Sequence, residues 1–109
     1  MNKLLFNRTL IIGVGLIGSS IARALQENNI SSEIHGIDNN EEVLTKCQNL
    51  KILTSGRKNL KDFSDQFDLI VICSPLSTYN KIFSLINDFV KQPTLVTDVG
   101  STKVSVIQD

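Results

Sequence analysis

The chain has 109 residues, of which 41% are apolar and 20% are charged, with eleven Lys and Arg against eleven Asp and Glu. This length predicts one domain, and the balanced charge gives no electrostatic footprint for nucleic acid or for an anionic membrane surface. Cys47 and Cys73 are too few for a disulfide scaffold, and no Cys/His cluster indicates a metal site. We therefore expect reduced thiols in a cytoplasmic protein.

The first 25 residues have the outline of a secretory signal peptide, with Lys3, an apolar stretch and the small-residue pattern 22–24. Asn7 and Arg8 interrupt the apolar stretch, and three glycines punctuate it. It is also too short to span a bilayer, which takes about 20 apolar residues. We interpret it as part of the fold, because it contains the first predicted strand.

Strands and helices are predicted to alternate along the chain. Aliphatic and β-branched runs predict strands at 9–12, 33–37, 52–53, 69–73 and 94–99. Helical spacing of apolar residues predicts helices over 16–28, from Asn39 or Asn40 through 48, over 79–90, and a last helical start that contains Val104 and Ile107. The apolar face predicted for the first helix comprises Ile17, Ile21, Ala24 and Leu25.

The alternation predicts an α/β fold with a doubly wound parallel sheet of about five strands, helices on both faces, and right-handed crossovers. The run 69–73 has no polar alternation, which is typical of a parallel strand buried on both faces. Arg57, Lys58 and Lys61 are predicted to lie on a solvated loop, with phosphate binding as the open alternative.

A glycine-rich motif follows the first predicted strand directly and opens the first predicted helix. It reads Gly13, Val14, Gly15, Leu16, Ile17, Gly18, which is the GxGxxG of Rossmann dinucleotide-binding folds. The first glycine permits a tight turn, the second lets a pyrophosphate approach the backbone, and the third lets the helix pack closely on the strand. The alternative is a glycine-rich turn that serves packing alone.

Asp38 ends the second predicted strand, 20 residues after Gly18. A carboxylate there can accept hydrogen bonds from the hydroxyls of the adenine-side ribose, and it would repel a 2′-phosphate. No Lys or Arg follows before Lys46, so the sequence predicts NAD rather than NADP. The alternative for Asp38 is a helix cap or an Asx-turn.

Other chemistry-bearing residues also fall at the ends of predicted strands, namely Ser74 and Pro75 after the fourth and Gly100 and Ser101 after the fifth. In a doubly wound sheet the ligand crevice lies outside the carboxyl ends of the strands. We therefore predict that Ser74 and Pro75 join the glycine motif and Asp38 in binding the cofactor.

The last motif is Thr97, Asp98, Val99, Gly100, Ser101, Thr102, Lys103, which by spacing alone could be a helix N-cap. Together with the glycine motif, with Gly36-Ile37-Asp38 and with the aliphatic strand that runs into Pro75, it resembles the nucleotide-binding half of prephenate and arogenate dehydrogenases. The resemblance covers nearly the whole chain in order. The departures are small: Ser19 stands where the family often has Gly, and Ser74 where it often has an aliphatic residue.

The resemblance implies the NAD-dependent oxidative decarboxylation of prephenate to 4-hydroxyphenylpyruvate in tyrosine biosynthesis. It also implies that Ser101 orients the substrate. In the family a catalytic histidine follows this motif, and a further helical domain supplies a substrate-binding arginine and the dimer contacts. Residues 1–109 are therefore expected to be an N-terminal NAD-binding Rossmann domain that is not catalytic alone, with His35, its single histidine, as a structural residue.

Two other functions remain open at this stage: a non-catalytic NAD-sensing Rossmann module and another hydroxyacid-type dehydrogenase. A nucleoside-dependent methyltransferase is disfavoured by the GxGxxG spacing and by the segment 97–103. Because Val104 and Ile107 would lie on an unfinished helix, we also predict an exposed apolar patch there and self-association through it.

Overall fold

The computed structural model describes residues 5–99 and the backbone of residues 104–107. Its strands are β1 (Phe6–Ile12), β2 (Ser31–Ile37), β3 (Ser55–Arg57), β4 (Leu69–Ile72), β5 (Thr94–Asp98) and β6 (Val104–Ile107). Its helices are α1 (Gly15–Glu27), α2 (Glu41–Asn49) and α3 (Tyr79–Phe89), with short 3₁₀ helices at Leu60–Asp62 and Leu76–Thr78.

One six-stranded sheet with the order β3-β2-β1-β4-β5-β6 organises the chain. The first five strands are parallel, and β1 pairs with both β2 and β4. The strand order therefore reverses between β1 and β4, which opens a crevice beyond their carboxyl ends. The predicted doubly wound α/β fold is confirmed. Among the residues described, no helix is long and apolar enough to cross a membrane.

Each face of the sheet has its own apolar core. In β1, Leu10 and Ile12 point to the α3 side, whereas Ile11 points to the side covered by α1 and α2. In β4, Ile70 and Ile72 belong to the first core and its other two residues to the second. Successive side chains of a strand point to opposite faces, so a strand buried on both sides must be apolar throughout.

Helix α1 packs through its smallest residues. Gly18 and Ala22 are its buried residues, Ile21 and Leu25 are partly buried, and Ala24 and Ile17 are exposed, Ile17 by 57%. The predicted face is therefore wrong for Ile17 and Ala24. A Cβ on Gly18 would lie 2.6 Å from the Gly13 carbonyl oxygen, so the close approach of α1 to the end of β1 needs a glycine there.

The third strand lies three residues later than the sequence predicts. Ile52 and Leu53 are buried, but both donate their amides to the Cys47 carbonyl and so complete the end of α2. The strand itself, Ser55–Arg57, carries no apolar run that would mark it. A Cβ on Gly56 would meet Leu44 of α2 at 2.8 Å, so packing against α2 selects this segment.

The predicted last helix is wrong, since Val104–Ile107 forms a strand antiparallel to β5. Two valines and an isoleucine in four residues favour a strand, and the open edge of β5 supplies a hydrogen-bonding partner. The predicted apolar patch concerns side chains of Val104 and Ile107 that lie outside the described residues. Self-association through them stays a prediction.

A polar network around His35 ties β1, β2 and β3 together. The ring is buried between Phe63 and Phe67, its Nε2 lies 2.9 Å from Glu33 Oε1, and its Nδ1 lies 2.6 Å from Ser55 Oγ. Arg8 Nη1 donates to the same Glu33 oxygen at 2.8 Å. Burial lowers the pKa of His35, and the hydrogen bond that its Nε2 donates to Glu33 opposes that change. The structure therefore agrees with the expected structural role of His35.

We predict that Gly18→Ala lowers the free energy of unfolding by about 1–3 kcal/mol, the usual cost of overpacking. The new methyl group would clash with the Gly13 carbonyl, which outweighs the better helix propensity of alanine. Ser20→Ala, on an exposed position of the same helix, is the matched control. Urea unfolding followed by circular dichroism makes the comparison. Equal stability of the two variants would contradict this packing.

We predict that the melting temperature falls between pH 7 and pH 5 because of His35. Its folded pKa lies below the ordinary value of about 6.5, so the unfolded chain binds the proton more readily. The neutral His35 therefore contributes to the free energy of unfolding in full at a pH above the ordinary histidine pKa. That contribution is lost as the pH falls towards the pKa of His35 in the folded protein. His35→Gln removes the only imidazole of the chain, and a melting series over this pH range should then be flatter. An unchanged slope would contradict the prediction.

Candidate functional site

A cleft of about 640 Å³ lies at the carboxyl ends of the central strands. Five of the predicted cofactor-binding residues line it: Gly13, Gly15, Asp38, Ser74 and Pro75. Its apolar walls come from β1, β2, the first 3₁₀ helix and α3, through Ile12, Ile37, Leu60, Ile82 and Leu85. Sheet topology thus brings together residues from four separate stretches of the chain.

The N-terminus of α1 opens towards this cleft without a side-chain cap. Its N-cap, Val14, makes no capping hydrogen bond, and no acidic residue lies in the first turn. Helix α2 differs, because Asn40 accepts from the Glu42 amide at 2.9 Å and two glutamates occupy its first turn. No residue of the first turn of α1 therefore offsets the partial positive charge that favours a bound anion.

Two glycines shape the turn between β1 and α1. Gly13 has φ +84°, and a Cβ there would lie 2.6 Å from Ser74 Oγ. Gly15 has φ +28°, and a Cβ there would meet no atom within 4 Å. The first glycine is therefore required by the protein's own packing, whereas the second leaves open space beside the backbone.

Asp38 is held at the cleft by backbone amides. Its Oδ1 accepts from the Asn40 amide at 2.9 Å, as in the Asx-turn that the sequence left open, and its Oδ2 lies 3.3 Å from the Gly15 amide. The side chain is half-buried, and each oxygen keeps a further lone pair for a ligand hydroxyl. The Asx-turn orients the Asp38 carboxylate, so a role in the turn is compatible with a role in binding the ribose hydroxyls of a ligand.

The other four residues of the glycine motif do not line the cleft. Val14 is fully buried, Gly18 packs against β1, and Leu16 and Ile17 are exposed by 85% and 57%. None of the four therefore contributes a side chain to the walls of the cleft. These residues can offer a ligand only their backbone amides, which lie at the start of α1.

The end of β4 forms the opposite wall. Ser74 Oγ donates to the Ile12 carbonyl at 3.4 Å, and Pro75 begins the turn into the second 3₁₀ helix. Cys73 also lines the cleft, where burial raises the pKa of its thiol to about 11. The thiol therefore stays protonated at neutral pH and does not act as a thiolate nucleophile.

Several polar residues at the cleft were not among the predicted cofactor-binding residues, although Lys58 and Lys61 had phosphate binding as an open alternative. These are Lys58, Asn59, Lys61, Thr78 and Lys81. The signal for the first three was present, because the basic cluster directly follows β3 and strand ends converge in a parallel sheet. Placing the strand at 52–53 instead of Ser55–Arg57 put these side chains in a distant loop.

The last motif is only partly described. Thr97 and Asp98 end β5, and Ser101, the predicted substrate-orienting residue, lies outside the described residues. Asp98 Oδ1 is buried with no hydrogen-bond partner among the residues that are described. Burial raises the pKa of Tyr79, and the Asp98 carboxylate adds to this. In the described part of the chain no group of His, Cys, Asp or Glu could hold a metal ion.

Comparison with known sequences identifies the family. The family model of the prephenate dehydrogenase nucleotide-binding domain matches residues 21–109. Prephenate dehydrogenase of Lactococcus lactis is 36% identical over 102 residues, which are 93% of this chain and 28% of that protein. Cyclohexadienyl dehydrogenase of Zymomonas mobilis is 30% identical over 103 residues, 94% of this chain and 35% of that protein. The chain thus spans about a third of the length of these relatives.

Solved structures agree with this. Prephenate dehydrogenase of Aquifex aeolicus, in complex with hydroxyphenyl propionate and NAD⁺, has a TM-score of 0.79 and 30% identity, over 89% of this chain and 34% of that one. Synechocystis arogenate dehydrogenase, at 21% identity and a TM-score of 0.76 over 88% of this chain and 34% of that one, shares the fold. By its match to the family model, its sheet and its glycine turn, the chain belongs to the family of prephenate dehydrogenase nucleotide-binding domains.

Proposed function

We propose that this chain binds NAD in the cleft, as the nucleotide-binding part of a prephenate dehydrogenase. One observation carries the proposal: the start of α1 and the Asp38 carboxylate at the end of β2 meet at the same cleft, where Asp38 Oδ2 accepts from the Gly15 amide at 3.3 Å. A dinucleotide needs an anion site and a hydroxyl acceptor in adjacent positions, and these two groups supply them. We also propose that residues 1–109 form a single domain.

The parts of NAD can be assigned to parts of the cleft. The amides of the first turn of α1, from Val14 to Gly18, face the pyrophosphate, and the open space beside Gly15 lets it approach. Asp38 accepts from the adenine-side ribose hydroxyls. The apolar wall that includes Leu60 and Leu85 receives the adenine, and Ser74 and Pro75 bound the side towards the nicotinamide.

The reaction that we propose is the oxidative decarboxylation of prephenate. When bound, NAD accepts the hydride that prephenate loses as carbon dioxide leaves and the ring becomes aromatic. Ser101 would orient the substrate. His35 does not supply the base, because it is buried between two phenylalanines and fully engaged with Glu33 and Ser55.

The base and the groups that bind the substrate carboxylates would come from the part of the protein that corresponds to the remaining two-thirds of the relatives. Family membership favours this dehydrogenase over an NAD-sensing module. A cytoplasmic location is part of the proposal, and it agrees with the free thiols of Cys47 and Cys73.

We predict that Asp38→Ala weakens NADH binding by at least about tenfold, since a hydrogen bond to a charged group contributes about 1.5–3 kcal/mol. Gly15→Val should also weaken binding, because the side chain fills the space open to the pyrophosphate. Titration of NADH fluorescence measures both effects. Asp65→Ala, the same change at an exposed aspartate away from the cleft, is the matched control.

Thermal melting of each variant separates lost binding from lost folding. If all four proteins, including the unchanged chain, bind NADH equally while remaining folded, the cleft is not the cofactor site. If the unchanged chain does not bind NADH, the proposed function is wrong.

We predict that the 109-residue chain forms no NADH from prephenate, although it binds the cofactor. A chimera in which it replaces the matched segment of the Lactococcus lactis relative should form NADH, because that protein supplies the remaining groups. The matched chimera with Asp38→Ala should lose most of this rate at limiting NAD. Turnover by the chain alone, or a chimera that binds NAD but does not oxidise prephenate, would contradict the assignment.

A further inference from the structure

Two lysines of the basic cluster lie at the cofactor cleft. The proposed function assigns no role to either of them. Lys58 and Lys61 line the cleft, whereas Arg57 turns away, with its guanidinium 6.0 Å from the Phe63 ring centre and bonded to the Gly56 carbonyl. All three side chains are exposed, as predicted, but the two lysines also border the cleft. Both lysines line the cleft together with Asp38.

The pairing of β2 with β3 fixes Lys58 beside Asp38. Arg57 is the register partner of Ile37, and the Asp38 amide donates to the Arg57 carbonyl at 3.3 Å. The residues that follow these partners, Asp38 and Lys58, therefore leave adjacent strands at the same edge of the sheet. Any group attached to the ribose that Asp38 contacts would come near the lysine.

Glu41 holds the Lys58 side chain. Lys58 Nζ lies 3.2 Å from Glu41 Oε1, in the first turn of α2, which begins next to the Asn40 cap. Both side chains are more than half exposed, so the pair is held weakly and can separate. The charge of the Lys58 ammonium group is thus balanced by Glu41, which makes no contact with the Asp38 side chain.

We infer that Lys58 is a latent ligand for a phosphate on the 2′-oxygen of the adenine-side ribose, and that Glu41 suppresses this by pairing with it. The inference rests on the proposed function, because it places that ribose at Asp38. A 2′-phosphate entering here meets the carboxylates of Asp38 and Glu41, and the lysine that the strand register places next to Asp38 is already paired with Glu41. Selectivity for NAD over NADP therefore depends on Glu41 as well as on Asp38.

The experiment compares the dissociation constants of NAD and NADP for four proteins at low ionic strength, where surface charges are least screened. These are the unchanged chain, Glu41→Gln, Lys58→Gln and the double variant. Glu41→Gln should improve NADP affinity by about fivefold, the upper end for one exposed ion pair, and leave NAD affinity unchanged. The double variant should lose this gain, because the freed ammonium group is gone.

Glu42→Gln is the matched control, since it removes the same charge from the same helical turn at an exposed side chain. It should leave the ratio of NAD to NADP affinity unchanged. An equal gain in Glu42→Gln would show a general charge effect and overturn the inference. A gain that persists in the double variant would overturn the assignment to Lys58.

The two proposals fail in different ways. A chain that binds neither dinucleotide refutes the proposed function. A chain that binds NAD, but whose preference does not change in Glu41→Gln, refutes the role of Glu41 and leaves the NAD site in place.

Discussion

The structure depends on one constraint at the start of α1: the helix must begin directly at the end of a buried strand, with no side-chain cap from its N-cap residue Val14. Gly13 makes this possible by turning with φ +84° where any side chain would strike Ser74. Gly18 then lets the helix lie against that same turn. The Gly15 amide contacts Asp38, and the amides that follow it in the first turn are what the cleft offers to an anion.

The rest of the fold brings complementary groups to those amides. Because β1 pairs with β2 on one side and β4 on the other, the ends of three strands meet around the turn. Asp38 arrives from one side and Ser74 from the other. Both faces of these strands are buried, so the register cannot shift by one residue without turning apolar side chains out of one core and into the other.

The sequence was informative where a pattern has a single physical meaning. The aliphatic run in β4 is buried on both faces, the glycine motif joins β1 to α1, and Asp38 directly follows β2, as the sequence predicted. It misled where two meanings compete. Ile52 and Leu53 are as apolar as the residues of a buried strand, but their amides bond to the end of α2 instead. The edge strand of the sheet is formed by the small and polar segment Ser55–Arg57.

The sequence by itself determined the fold class, the glycine turn and the acidic residue at the end of β2, because each is encoded by neighbouring residues. Only the tertiary structure decided that Lys58 leaves the sheet at the same edge as Asp38 and pairs with Glu41, since the register of β2 on β3 brings these distant stretches together. It also decided that Val104–Ile107 is a strand, because the open edge of β5 supplies a partner that local spacing cannot show.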